Sequence, residues 1–137
     1  MSTTSNPPKS SVKTSIAKFV ALLITSVLLI GAAYTWVTLN FAYSTGERAG
    51  FLQKISNKGW ICKTAEGELS LVALPGAAPE KFEFSVRDAA VAARVNAAVG
   101  QRVALTYEQH KGVPTSCFGE TEYFVTDVKV VAPPTTP

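Results

Sequence analysis

The residues of this sequence best suited to chemistry are two cysteines and one histidine. A metal site needs clustered His, Cys or carboxylate ligands, but Cys62 and Cys117 lie far apart and His110 stands at the end of a predicted strand. A redox pair would need C-x-x-C spacing, which the sequence lacks. Nucleophilic catalysis by Cys117 or Ser116 would need a base, and no signature orients His110 toward either residue. We therefore predict no metal site and no catalytic cysteine.

Carboxylates offer a second route to chemistry, because a pair of them can act as general acid and base. Glu66, Glu68 and Glu83 fall in predicted strands and could approach one another across a sheet. Carboxylates on exposed strand faces mostly point to solvent, and we expect these to do so. No glycine-rich loop follows a strand and opens a helix, so no nucleotide cofactor is predicted. We expect a protein without catalytic residues and without cofactors.

An uncharged stretch, Phe19–Leu39, precedes all of these residues. At 1.5 Å per residue a helix of this length spans about 30 Å, which is enough to cross the hydrocarbon core of a bilayer. Aromatic side chains gather near its C-terminal end, where rings favour the level of the lipid headgroups. These are Tyr34, Trp36, Phe41 and Tyr43. The stretch predicts a transmembrane helix over residues 19–39.

Charge around this helix predicts its orientation. Lys9, Lys13 and Lys18 precede it and no acidic residue does, so the positive-inside rule places the N-terminus in the cytoplasm. We predict a bacterial inner membrane protein with its C-terminal domain in the periplasm. The alternative is a cleaved signal peptide, with the small residues Gly31–Ala33 at the cleavage site. Either alternative exports the domain.

The folded part of the chain is electrically neutral. From Ser44 onward ten Lys and Arg residues stand against ten Asp and Glu residues. A nucleic-acid-binding domain needs clustered positive charge of its own, so we predict no nucleic-acid partner. Residues 1–18, rich in Ser, Thr, Pro and Lys, are predicted to be a disordered cytoplasmic tail. Residues 132–137, APPTTP, are predicted to be a second disordered tail.

Residues 40–131 show strand patterns interrupted by one helix. Apolar alternation, turn residues and a helix start at Asp88 predict the order β-β-β-α-β-β. The predicted elements are strands 49–56, 60–74 with a bulge at Gly67, 81–87, 102–109 and 122–131, and a helix over 89–99 with Val91, Val95 and Val99 on its apolar face. This is the order of the OB-fold, a five-stranded Greek-key barrel with one helix. We therefore predict an OB-fold-like domain, and an open α+β sheet is the alternative.

The two cysteines fall in loops that an OB-fold brings together. Cys62 follows the first hairpin turn and Cys117 lies between the last two strands, and these loops are neighbours at one end of such a barrel. An exported domain meets an oxidising compartment. We predict a Cys62–Cys117 disulfide, which stabilises the domain by about 4 kcal/mol at most. The alternative is two unpaired thiols.

Polar, glycine-punctuated segments surround the first hairpin, where OB-folds commonly bind oligomers. Arg48, Lys58, Lys63 and Glu66 are the residues that we select as a candidate interaction surface. The alternative is that these segments only form turns and bulges.

The same segments resemble a family of short bacterial membrane-anchored proteins of uncharacterised function. The resemblance covers most of residues 40–131. It is carried by Asn40-Phe41-Ala42-Tyr43-Ser44, by Gly46, Arg48, Gly50 and Ser56, by Lys58-Gly59, by Lys63-Thr64-x-Glu66-Gly67 and by Gly119-x-Thr121-x-Tyr123-Phe124-Val125. Members often carry the automatic label "phosphogluconate dehydrogenase". We judge that label wrong for this sequence, because it has no dinucleotide fingerprint and is too short for a cofactor domain and a substrate domain.

Three functions remain compatible with the sequence. The first is a membrane-tethered binding or assembly module that contacts an envelope protein or a glycan. The second is a small accessory subunit of an inner-membrane complex that acts through its helix. The third is an enzyme, which we rank last because no catalytic constellation is present.

Overall fold

A computed structural model describes residues 10–71 and 75–131. The chain divides into two compact units, residues 1–37 and residues 38–137. The first unit is dominated by helix α1, Ser10–Asn40, which is long and apolar enough to cross a membrane. Two of its hydroxyls bond back to the preceding turn: Thr25 Oγ1 donates to the Ala21 carbonyl and Thr35 Oγ1 to the Gly31 carbonyl, both at 2.8 Å.

Helix α1 begins before the predicted transmembrane span. Residues 10–18, which the sequence assigns to a disordered tail, are helical, because no proline or glycine interrupts them. Residues 1–9 of that predicted tail, and the predicted tail at 132–137, lie outside the described residues.

The second unit contains the predicted order of elements. These are β1 Ser44–Lys58, β2 Thr64–Leu71, β3 Lys81–Val86, α2 Ala89–Ala97, β4 Arg102–Gln109 and β5 Tyr123–Val130. Strand β1 is longer than predicted, and β2 begins at Thr64 rather than at Trp60. Gly59 adopts φ +124°, and a Cβ there would lie 1.8 Å from the Cys62 carbonyl oxygen, so a tight loop occupies residues 59–63. The predicted end of β2, residues 72–74, lies outside the described residues.

The five strands close into a ring in the order β1-β2-β3-β5-β4. The first half of β1 pairs with β4 and its second half with β2, both antiparallel. Strands β3 and β5 are parallel and complete the ring through the pair Ser85–Phe124. The open-sheet alternative is therefore wrong, since the sheet has no free edge between its first and last strands.

One hydrophobic core joins the strands to α2. Its largest members include Leu52, Leu69, Phe84 and Leu105, together with Val91 and Val95 of the helix. The Asp88 carboxylate accepts hydrogen bonds from the backbone N–H groups of Ala90 and Val91, which confirms the predicted helix start. The helix ends at Ala97, two residues earlier than predicted. Val99 is consequently 39% exposed, so its predicted place on the buried stripe is wrong.

Two bulges set which side chains face the core. The first lies at Gln53 of β1, between the pairs Leu52–Leu69 and Lys54–Glu68, and not at Gly67 of β2 as predicted. Gly67 is instead a close-approach site, because a Cβ there would lie 2.4 Å from the Phe84 ring. The second bulge falls at Thr126 of β5, between the pairs Tyr107–Val125 and Thr106–Asp127.

Candidate functional site

The loop between β4 and β5, residues 110–122, is fixed to the rest of the domain by a covalent bond. Cys62 and Cys117 form a disulfide with their Cα atoms 4.9 Å apart, across 55 positions of the sequence. The bond joins this loop to the loop between β1 and β2, residues 59–63, as predicted. A disulfide restricts the conformations open to the loop that it holds.

The buried carboxylate of Glu66 holds the same loop through a hydrogen bond. Leu69 and Gly67 of β2 face the core, so the alternation of the strand places Glu66 on the outer face of the ring. The β4–β5 loop covers that position, and Glu66 is only 4% exposed. Its carboxylate accepts hydrogen bonds from Thr64 Oγ1 at 2.7 Å, from Ser85 Oγ at 2.6 Å and from the Glu120 backbone N–H at 3.0 Å.

A second contact extends this network. The backbone N–H of Thr121 donates to Ser85 Oγ at 3.0 Å, so two consecutive backbone groups of the loop are bound to the buried pair of Glu66 and Ser85. Glu66 therefore organises the loop from inside. Of the predicted interaction surface, it is the member that the structure buries, so the expectation that it points to solvent is wrong.

A groove of about 470 Å³ runs beside the disulfide. It lies between the two joined loops, the end of β3 and the start of α2. Its polar lining consists of Asn57, Lys63, Thr64, Arg87 and Asp88, and Ala65, Val86, Ala89, Ala92 and Phe118 add apolar surface beside Cys117. The groove offers one ammonium, one guanidinium and one carboxylate on a mixed wall. Such a lining suits a ligand with polar and apolar parts.

The other predicted surface residues stand in separate places. Lys63 lines the groove, whereas Lys58, at the opposite end of the short loop, lies 3.9 Å from the Glu120 carboxylate. Arg48 belongs to the inner face of β1, with its guanidinium 4.7 Å from the centre of the Phe82 ring. Phe82 in turn contacts the rings of Tyr107 and Tyr123. Arg48 therefore stacks on an aromatic cluster.

His110 directly follows β4, and its side chain is buried, being only 2% exposed. Its Nδ1 lies 2.8 Å from the Thr38 carbonyl oxygen and its Nε2 lies 3.2 Å from the Glu108 carboxylate. The carbonyl oxygen can only accept, so Nδ1 carries a proton. Phe124 packs against the ring, and Cys117 is in the disulfide. His110 and Cys117 therefore do not form a base and nucleophile pair.

Exposed charges on the ring are paired across strands. The hydrogen bond from Lys54 and the charge of that lysine lower the pKa of the Glu68 carboxyl, and Lys81 and Lys58 add to the effect. Arg94 of α2 donates to Asp127 at 2.6 Å and lowers the pKa of that carboxyl, with a hydrogen bond from the Val128 backbone as the second cause. These pairs tie neighbouring elements together at the surface.

The comparisons with known proteins concern the ring domain. A protein family described as a domain of unknown function (DUF8785) matches residues 42–134. This is more than half of the chain, and it includes all five strands, α2, the disulfide and the groove. The chain belongs to the DUF8785 family. No curated protein and no solved structure matches the chain. Helix α1 ends before the first residue of the DUF8785 domain.

Within the DUF8785 domain, the described residues contain no group of three or more His, Cys, Asp and Glu side chains that could hold a metal ion. Reasoning from the sequence did not identify Arg87 and Phe118 as groove residues, because they come together only in the folded ring. It also placed Trp60 and Ile61 in the predicted second strand, whereas they lie in the loop before β2. The signal that could have placed them in a loop is Gly59, two residues before Ile61 and three before Cys62.

Proposed function

We propose that the protein is a membrane-tethered binding module without catalytic activity of its own. The observation that carries the proposal is the groove beside the Cys62–Cys117 bond, whose walls are held in place by that bond and by the hydrogen bonds of Glu66. A preorganised surface binds a partner at a smaller entropic cost than a mobile one. Its proposed partner is an envelope protein or a glycan.

Several features support an exported, OB-fold-like barrel as the frame of this module. The ring order β1-β2-β3-β5-β4, with α2 between β3 and β4, matches the Greek-key order of that fold. A disulfide is typical of oxidising compartments. Lys9, Lys13 and Lys18, which precede the uncharged stretch 19–39, favour a cytoplasmic N-terminus and a domain on the outer side of a bacterial inner membrane.

Photo-crosslinking in intact cells tests the proposal. A photoreactive amino acid at Asn57, which lines the groove, should give one discrete adduct with the partner. The same group at Gln53, an exposed position on β1, serves as the control and should give none. Lys63→Glu in the Asn57 variant should weaken the adduct, whereas Lys129→Glu, a charge reversal at an exposed residue of β5, should leave it unchanged.

Two outcomes would overturn the proposal. The first is a blank at Asn57 with full expression and membrane insertion. The second is turnover of 6-phosphogluconate with NADP by the purified full-length chain, which would restore the enzymatic alternative. We expect no turnover, because the groove-lining side chains include no His, Cys thiol or pair of carboxylates in contact.

A further inference from the structure

Among the described residues of the DUF8785 domain, the most exposed large apolar side chains form the tip of the loop that follows β1. Trp60 is 102% exposed and Ile61 is 98% exposed. The backbone is held on both sides of these two residues. Gly59 forms the turn before them, and Cys62 after them is bonded to Cys117. The loop therefore presents a tryptophan and an isoleucine to solvent from a fixed base. We define these two residues as the apolar tip.

Positive charge lies on both sides of the apolar tip in the sequence. Lys58 and Lys63 flank it, and residues 57–65 contain no acidic residue. Lys111, in the loop bonded to it, is not counted here, because its ammonium lies 4.1 Å from the centre of the Tyr43 ring. Glu120 approaches Lys58 to 3.9 Å, as an exposed pair that screening by salt weakens. None of the ion pairs among the described residues includes Lys63, so its positive charge is unpaired beside the tip.

The area of the apolar tip bears on the kind of partner it fits. A tryptophan contributes about 200 Å² and an isoleucine somewhat less, whereas a stable protein interface buries about 1,200–2,000 Å². Two side chains fall far short of that area. They are sufficient at a membrane surface when a second attachment holds the protein there, because tethering raises the effective concentration. Helix α1 is long and apolar enough to be that attachment.

We propose that the apolar tip inserts into the interface of an anionic phospholipid bilayer, with Lys58 and Lys63 against the lipid phosphates. Tryptophan favours this region because its ring is amphipathic, and the isoleucine enters the acyl boundary. The lysines supply the attraction to negative headgroups. This contact goes beyond the proposed function and does not require it, since the tip can insert whether or not a partner occupies the groove.

Tryptophan fluorescence of the full-length chain tests the contact. Trp36→Phe leaves Trp60 as the single tryptophan of the chain. This variant is reconstituted into vesicles of phosphatidylcholine alone or mixed with phosphatidylglycerol. With phosphatidylglycerol we expect blue-shifted emission, a loss of most of the intensity when the acyl chains are brominated, and weak quenching by aqueous acrylamide. In phosphatidylcholine alone the shift and the bromine quenching should be much smaller.

The source of the lipid is distinguished by where the bromine is placed. Quenching by brominated lipid in the host vesicles indicates insertion into the membrane that holds α1. Quenching only by added brominated vesicles indicates insertion into an apposed membrane. Only the first result supports the proposal. The second overturns it, because tethering by α1 raises the effective concentration only at the membrane that holds α1, and emission that stays water-exposed in both experiments also overturns it. Equal bromine quenching with and without phosphatidylglycerol would also overturn it, because the lysines would then have no part.

Two matched variants complete the design. In the first, Trp60→Phe with Phe51→Trp in the Trp36→Phe background moves the single reporter to an exposed position on β1, where we expect acrylamide quenching and no bromine quenching. In the second, Lys58→Ser with Lys63→Ser should abolish the difference between the two lipid compositions. A protein adduct from a photoreactive group at position 60, without bromine quenching, would assign the tip to a protein. That result would overturn this inference and leave the proposed function standing.

Discussion

The carboxylate of Glu66 accepts a hydrogen bond from the hydroxyl of Ser85 at 2.6 Å, on the outer face of the ring and beneath the β4–β5 loop. Both residues then bind the backbone of that loop, at Glu120 and at Thr121. None of the ion pairs among the described residues includes Glu66, and a buried carboxylate without such a pair is stable only if hydrogen bonds satisfy its oxygens. The loop supplies one of these bonds, so its position and the burial of the carboxylate depend on each other.

Removal of the Glu66 carboxylate should destabilise the domain. Glu66→Ala leaves the Glu120 N–H and two hydroxyls without their acceptor, and we expect the free energy of unfolding to fall by about 2–4 kcal/mol. Glu66→Gln retains one acceptor oxygen and should cost about 1 kcal/mol. Denaturant unfolding of the full-length chain in detergent, followed by near-UV circular dichroism, measures both. Equal losses in the two variants would contradict the hydrogen-bond explanation.

Loss of the disulfide should weaken the same end of the domain. We expect Cys62→Ser with Cys117→Ser to lower the free energy of unfolding by about 2–4 kcal/mol, because the unfolded chain is no longer constrained. Amide exchange in residues 59–63 and 110–122 should become faster. The wild-type chain treated with reductant is the control and should match the double variant. An unchanged unfolding midpoint would show that the noncovalent contacts alone hold the loops.

The pair Arg94 and Asp127 predicts a pH dependence with a defined sign. The pKa of Asp127 is lowered below its ordinary value of 3.8 in the folded chain. Stability gained from this pair is therefore fully present above the ordinary value and is lost as the pH falls through the lowered one. Asp127→Asn should lower the melting temperature at neutral pH, and the difference from the wild type should shrink toward about pH 3.

Arg94→Gln checks this prediction from the other side of the pair. It should give the same loss at neutral pH and the same convergence at acid pH, since it removes the donor that lowers the pKa. A melting difference that stays constant down to about pH 3 would mean that packing, and not charge, accounts for the effect.

Replacement of α1 separates the tethered module from the alternative of an accessory subunit. A foreign transmembrane helix in place of residues 19–39 should preserve the crosslink from Asn57, because the proposed contact lies in the ring domain. Loss of the adduct with normal insertion would instead favour a role for the native helix.

Alkaline phosphatase fused after Pro137 should be active if the domain is exported, and activity of only a cytosolic reporter there would contradict the orientation.

The sequence determined the elements that depend on local pattern. The uncharged stretch before the domain predicts a long apolar helix, and alternation with turn residues predicts five strands with one helix after the third. The disulfide was predictable as well, because the order of the strands brings the two loops to the same end. Asp88 was recognisable as a helix start because its side chain bonds to backbone groups only two and three residues away.

Only the tertiary structure decided where the polar residues point. Glu66 and Glu68 are indistinguishable by alternation, since both lie on the outer face of β2, but a loop more than fifty residues later buries the first and leaves the second with its lysines. The bulges at Gln53 and Thr126 also follow from pairing between distant strands. The exposure of Trp60 depends on the disulfide-bonded loop that replaces the start of β2. Each outcome depends on contacts between residues remote in sequence, which local pattern does not encode.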